Sequence, residues 1–201
     1  MNPFLEELFD IIAIDAEYLN GYLTPGEMKY LNITLKSIED LNSDFYTAEH
    51  GLNLEVLLFF LLKHLKDITL IWEDRSKKEI LLRLYTSNII SGYDCFRFDL
   101  SKFEQTFNPS GQELTLYRIG RANETIESLG NSWAKDFTGL KNYVQASAIE
   151  VDTRPIFSIK ISDSEVLCQG QSQESEFILN KNFKCSGIRL LRAEERSKIF
   201  I

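Results

Sequence analysis

Histidine and cysteine are both scarce in this chain. Its 201 residues contain two histidines, His50 and His64, and three cysteines, Cys95, Cys168 and Cys185. The cysteines are scattered and form no Cys-x-x-Cys pair. That argues against a disulfide framework and against zinc, which takes Cys and His in closely spaced sets. Such cysteine usage points to a reducing, cytoplasmic setting. Long apolar runs are lacking as well. The longest, Leu54 to Leu62, is interrupted by Glu55 and reaches about half the length of a membrane span, so a buried helix is expected there and no membrane partner. The opening residues, Met-Asn-Pro-Phe-Leu-Glu-Glu-Leu-Phe-Asp, carry acids where a secretory leader carries basic residues, and no leader is expected. Positive charge is not clustered. Residues 1–100 hold 9 basic and 17 acidic side chains and residues 101–201 hold 13 and 13, so the net charge of −8 arises in the first half. Nucleic acid is therefore not an expected partner, because phosphate attraction needs grouped Lys and Arg. An acidic half can face a basic protein partner or serve solubility. Neither Gly-x-Gly-x-x-Gly nor a Walker loop occurs, which disfavours the nucleotide sites built on them.

What remains is enough apolar and aromatic residue, 44% and 12%, to build a core. Helical spacing covers the first half. Phe4, Leu5, Leu8, Ile11 and Ile12 predict a helix over 3–20, stopped by Asn20-Gly21. Thr24-Pro25-Gly26-Glu27 is a capping box, opening a helix with Leu31, Leu35, Ile38, Leu41 and Phe45 on one stripe and His50-Gly51 at its end. A third helix is expected from about Asn53 to Lys66, with 67–74 either continuing it or forming a loop. Ser76-Lys77-Lys78-Glu79 reads as a second capping box starting a helix to about Ile90, closed by Ser91-Gly92. Short β-like runs then appear at 114–119, 155–161, 165–169, 176–179, 187–192 and 198–201, with one helix at about Thr138 to Ala148. The fold class expected is α+β: a helical region, 1–92, followed by a mostly antiparallel β region, 93–201, with any boundary falling near 92–110.

Three stretches of the β region carry chemistry. Leu116-Tyr117-Arg118 puts an arginine in an apolar strand. There it either lies exposed on an edge or, paired, clamps an anion such as phosphate. Gly130-Asn131-Ser132-Trp133-Ala134 is not a hydrolase elbow, since both histidines precede Ser132 in the chain; Ser132 and Trp133 can simply open a packed segment, with Trp133 in the core. Gln171-Ser-Gln-Glu-Ser-Glu-Phe-Ile-Leu179 places Glu174 and Glu176 two residues apart at the mouth of a strand, where i and i+2 share a face. Asp163 and Glu165 read as solvated residues flanking a hairpin turn, and Glu194-Glu195-Arg196 as a polar loop.

In order, an aromatic-Arg pair, a Ser-Trp turn feeding a helix and a Glu-x-Glu opening a late strand resemble the ADP-ribosyltransferase fold of the Arg-Ser-Glu type, over about residues 113–201. The resemblance implies that Arg118, with Tyr117 beside it, holds the phosphates or ribose of NAD, that Ser132 braces the site, and that Glu176 grips the nicotinamide ribose. Glu174 matches the acid that arginine-modifying members use to engage the acceptor. Ser132-Trp133 with Asp136 and Tyr143 is similar to the Ser-Trp-Thr…Asp…Phe pattern of small bacterial and phage members, in which an aromatic, here Tyr143 or Phe137, lies near the nicotinamide. Ala134 stands where a Thr or Ser is usual, Leu140 where a small residue is, and the spacing from Arg118 to Ser132 is tight. The activity implied is transfer of ADP-ribose from NAD, used as substrate without a metal, to a side chain of a target protein, arginine favoured, by a bacterial or phage effector. Residues 1–92 would then recognise the target. An inactive interaction protein on the same fold, which Ala134 favours, and an NAD-degrading toxin with water as acceptor are the alternatives.

Overall fold

A computed structural model of the chain describes residues 1–42, 52–87, 89, 96–147 and 149–200. They form two compact units, Met1–Phe103 and Glu104–Ile201. The first is helical and the second is built on a sheet, so the chain is α+β. Phe45, His50-Gly51, Ser91-Gly92 and Cys95 lie outside the described residues. No helix among the described residues is long and apolar enough to cross a membrane.

In the first unit, α1 (Pro3–Ile11) is capped by Asn2, whose side chain accepts from the Leu5 amide, with Pro3 at the first helical position. The single helix expected over 3–20 is broken. Ala13 turns left-handed at φ 58°, Ile14 pairs with Phe98, and Asp15 caps α2 (Ala16–Tyr22). Ile12, Ala13 and Ile14 are all buried; the break turns three consecutive residues inward, which one helical face cannot do. In α3 (Pro25–Thr34) both bonds of the Thr24–Glu27 capping box form. Leu35 and Leu41 still reach the core, but from a loop and a short 3-10 turn, Ile38–Asp40. The buried helix is α4 (Leu52–Lys63), and residues 67–73 belong to a separate α5 (Leu65–Glu73), with Asp74 capping its end. The second capping box does not form. The Ser76 hydroxyl bonds to Asp74 at 2.6 Å instead, and α6 runs only Glu79–Tyr85. Phe96 and Phe98, placed with the β region on sequence alone, pack their rings on Phe60, and Phe103 packs on Tyr85. This aromatic cluster keeps the stretch 96–103 in the helical unit.

The second unit holds β1 (Glu113–Ile119), β2 (Ser132–Ala134), α7 (Phe137–Ser147), β3 (Ile156–Ser162), β4 (Val166–Gln169), β5 (Glu176–Leu179), β6 (Cys185–Leu190) and α8 (Ala193–Phe200). The strands form one sheet in the order β4-β5-β2-β1-β3-β6, with antiparallel neighbours throughout. Leu116, Trp133, Phe157, Ile159, Phe177 and Leu179 fill one face. The other face carries Ile119, Ala134 and Ile156 and is covered by Leu140 of α7 and Ile199 of α8. Alternation along each strand sorts residues to these faces. α7 starts where Asp136 accepts from the Gly139 amide at 2.8 Å. Residues 198–200 of the strand expected at 198–201, and the polar loop at 194–196, belong instead to α8, and Ile201 lies outside the described residues. Its Ile199 is buried, and the Glu195 carboxylate accepts from the Arg192 amide at 2.9 Å to close the first turn. Asp163 is not solvated. It is 2% exposed and accepts from the Ser110 amide and hydroxyl at 2.6 and 2.9 Å and from the Gly111 amide at 3.2 Å, which pins the turn before β1. Those hydrogen bonds hold its carboxyl below the usual aspartate range.

Candidate active site

The sheet order makes β5, β2 and β1 consecutive, and these strands carry Glu176, Ser132 and Arg118. Register then decides which side chains meet. Tyr117 pairs with Ala134, and Ala134 with Glu176. Cross-strand partners share a face, so Tyr117, Ala134, Glu176 and, two residues from Ala134, Ser132 all project to the side covered by α7. There the Ser132 hydroxyl donates to Glu176 Oε1. The other carboxylate oxygen, Oε2, accepts from the Gln171 amide at 2.8 Å. Glu176 is thus held from two sides, by a strand neighbour and by its own preceding loop.

That loop is shaped for the purpose. Gly170 donates to the Glu176 carbonyl at 2.9 Å, residues Ser172–Glu174 make a 3-10 turn, and Ser175 takes a left-handed conformation at φ 48°. A Cβ on Gly170 would fall 2.0 Å from Glu176 Oε2, so glycine is what lets the carboxylate lie against the loop. The 172–174 turn is clamped on its far side by α7. Asn142 donates to the Gln173 carbonyl, and Gly139 comes so close that a Cβ there would stand 2.0 Å from the Glu174 carbonyl oxygen.

Glu174 lies in that 3-10 turn, before the left-handed Ser175 and outside β5, so strand alternation does not set its direction as expected. Burial, and then the charge of Glu176, push the Glu174 carboxyl up to about 7, so near neutral pH it exchanges a proton readily. Cys168, on β4 and paired with Ile178, is pushed up to about 12 by burial and by Glu176. It stays a thiol at neutral pH and is a poor nucleophile. Phe137 opens α7, is 40% exposed, and packs its ring on Tyr117 at 4.4 Å between centroids. Tyr143 is partly buried in the core beneath α7.

Two of the residues expected at the site project elsewhere. Trp133 alternates with Ser132, so it points to the opposite face. There it is 1% exposed and its indole donates to the Gly130 carbonyl at 2.8 Å; it is core. Arg118, next to Tyr117 and paired with Phe157, also leaves β1 on that face. It is neither an exposed edge residue nor an open anion clamp. Its Nε and Nη2 fork onto Glu124 at 2.8 and 3.1 Å, and its Nη1 donates to the Ser132 carbonyl at 2.8 Å. The pair is interior, with side chains 14% and 3% exposed. Sequence reasoning missed Glu124 because it sits in the aperiodic stretch 120–131, where an acid usually signals only a solvated loop. The signal that was available is an interior-strand arginine, which requires an anionic partner nearby.

Among the described residues, no three of His, Cys, Asp and Glu are grouped as around a metal ion. No protein-family model matches the chain, and no curated protein or solved structure matches it.

Proposed function

We propose that the second unit cleaves NAD and transfers ADP-ribose to a protein side chain in the cytoplasm. The observation that carries this reading is the Ser132–Glu176 hydrogen bond across β2 and β5, with Glu174 beside it. It supports the resemblance to the Arg-Ser-Glu type of ADP-ribosyltransferase, in which a serine braces the catalytic glutamate.

The chemistry follows from charge. When the bond between ribose C1 and the nicotinamide nitrogen breaks, its electron pair leaves with nicotinamide and positive charge develops on the ribose, as in glycoside cleavage. A carboxylate accepting from the ribose 2′-hydroxyl binds more strongly as that charge grows, which lowers the barrier. Glu176 takes that role, and Ser132 fixes the orientation of its carboxylate. Tyr117 and Phe137 offer an aromatic wall on the same side of the sheet. Glu174 takes the proton that the acceptor nitrogen loses as it bonds to C1. Two neighbouring carboxylates suit a cationic acceptor, and a guanidinium is favoured. The acidic helical unit, with 17 acidic against 9 basic residues over 1–100, would meet a basic target.

The test is turnover of labelled NAD with a bacterial lysate. Glu176→Gln should abolish both transfer and NAD cleavage. Glu174→Gln should abolish transfer and leave part of the NAD hydrolysis. Equal NAD turnover by the wild type and Glu176→Gln would refute the assignment. A second reading, a binding protein that keeps the fold without the activity, is favoured by the engagement of Arg118 with Glu124; NAD left intact by the wild type would select it.

A further inference from the structure

We propose that Glu124 is a positioning residue: it commits Arg118 to bracing the strand that carries Ser132, so that Arg118 fixes the serine and does not grip the pyrophosphate of the dinucleotide. This role rests on the reading of the Ser132–Glu176 side as an NAD-cleaving site.

Glu124 gathers the donors of the β1–β2 connection. Its Oε1 accepts from Arg118 Nε at 2.8 Å and from the Gly130 amide at 2.6 Å, and its Oε2 from Arg118 Nη2 at 3.1 Å and the Arg121 amide at 2.9 Å. The result is a chain of contacts from Glu124 to Arg118, from Arg118 Nη1 to the Ser132 carbonyl, and from the Ser132 hydroxyl to Glu176. The brace acts on the edge of β2 that faces β1. That strand is three residues long and its register with β1 is the single pair Tyr117–Ala134, two residues away from Ser132. The opposite edge of β2 is paired at all three residues with β5, Ser132 with Ile178 included. The weakly paired edge is therefore the one facing β1, and there the Arg118 bond to the Ser132 carbonyl supplies a contact that the short ladder lacks.

Exchange of Glu124 for a phosphate is unfavourable for three reasons. The carboxylate is 3% exposed, so removing its cation would strand a buried charge. The forked pairing already uses the planar edge of the guanidinium that would grip phosphate. Gly130 packs on the other side, where a Cβ would lie 2.5 Å from Arg118 Nη2, so the loop encloses the guanidinium closely.

A kinetic double-mutant cycle on the full chain tests this. Glu124→Gln and Arg118→Lys should each lower kcat for NAD cleavage by about 10- to 100-fold, the scale set by misplacing a catalytic group. The KM for NAD should change by no more than about threefold, and the double variant should be no worse than the more impaired single variant, because both changes break one brace. A KM raised more than about tenfold by Arg118→Lys, with Glu124→Gln kinetically silent, would overturn the proposal and make Arg118 the anion clamp. If either variant fails to fold, hydrogen exchange of the Gly130 amide in the wild type decides: its protection should survive saturation with NAD, and loss of protection would show that Arg118 and Glu124 part. A wild type that turns over no NAD refutes the proposed function instead. The brace is then judged by urea unfolding of the same variants, where the two losses must be non-additive and additive losses overturn it.

Discussion

Neutralising Glu174 should stabilise the second unit at alkaline pH, and the size of the gain follows from the site. Its carboxyl, ordinarily near 4.5, is pushed up to about 7 by burial and then by Glu176. The folded chain therefore binds this proton more tightly than the unfolded chain does. Stability from this group is complete below the unfolded value, declines as pH rises through the interval from 4.5 to about 7, and is gone above it. At 1.36 kcal/mol per pH unit the ceiling is about 3 kcal/mol. The side chain is only partly buried and water screens it, so about 1–2 kcal/mol is expected. Glu174→Gln keeps the shape and removes the charge. It should exceed the wild type by that amount at pH 8 and match it near pH 4.5. Urea unfolding followed by tryptophan fluorescence reads this directly, because Trp133 is 1% exposed in the second unit and Trp72→Phe silences the tryptophan of the first. With a slope of about 1–2 kcal/mol per molar urea, the midpoint should move up by roughly 1 M. A variant less stable than the wild type at pH 8, or a difference that does not change with pH, would refute the reasoning. The expected sign makes the acid pair costly to the fold, as residues kept for chemistry often are.

Gly139→Ala should be destabilising by about 1–3 kcal/mol, the range for overpacking, although alanine favours helices. Its Cβ would press on the Glu174 carbonyl, which is backbone and cannot rotate away, so α7 and the 172–174 turn must separate; a lower urea midpoint together with weaker ADP-ribose transfer checks both consequences. Asp163 contributes in the opposite direction from Glu174. Its folded pKa is lowered by the Ser110 and Gly111 donors, so its stabilisation is present above the ordinary aspartate value and is lost as pH falls through the folded one. Asp163→Ala should therefore speed amide exchange at Ser110 and Gly111 at neutral pH and change it little in strong acid.

Much of this architecture is legible in the chain itself. Thr24-Pro-Gly-Glu27 makes its capping box because both partners lie within one turn. Glu176–Leu179 is a strand with the expected bounds. Local rules fail where a distant partner intervenes. The helix expected over 3–20 breaks because Ile14 pairs with Phe98, and residues 198–200 do not make a strand because Ile199 is buried as part of a helical face. At the candidate site, the sequence by itself determined that Glu176 opens a strand with a second acid two residues before it. The alternation expected to put both on one face does not apply, because Glu174 lies in a 3-10 turn and Ser175 is left-handed. The sequence left Arg118 either exposed on an edge or paired with an anion. Only the tertiary structure decided which anion, and on which face. Pairing Tyr117 with Ala134 and Ala134 with Glu176 brings Ser132 to Glu176 and sends Arg118 and Trp133 to the other side. A register shift of one residue would reverse that assignment, and register is fixed by partners far away along the chain.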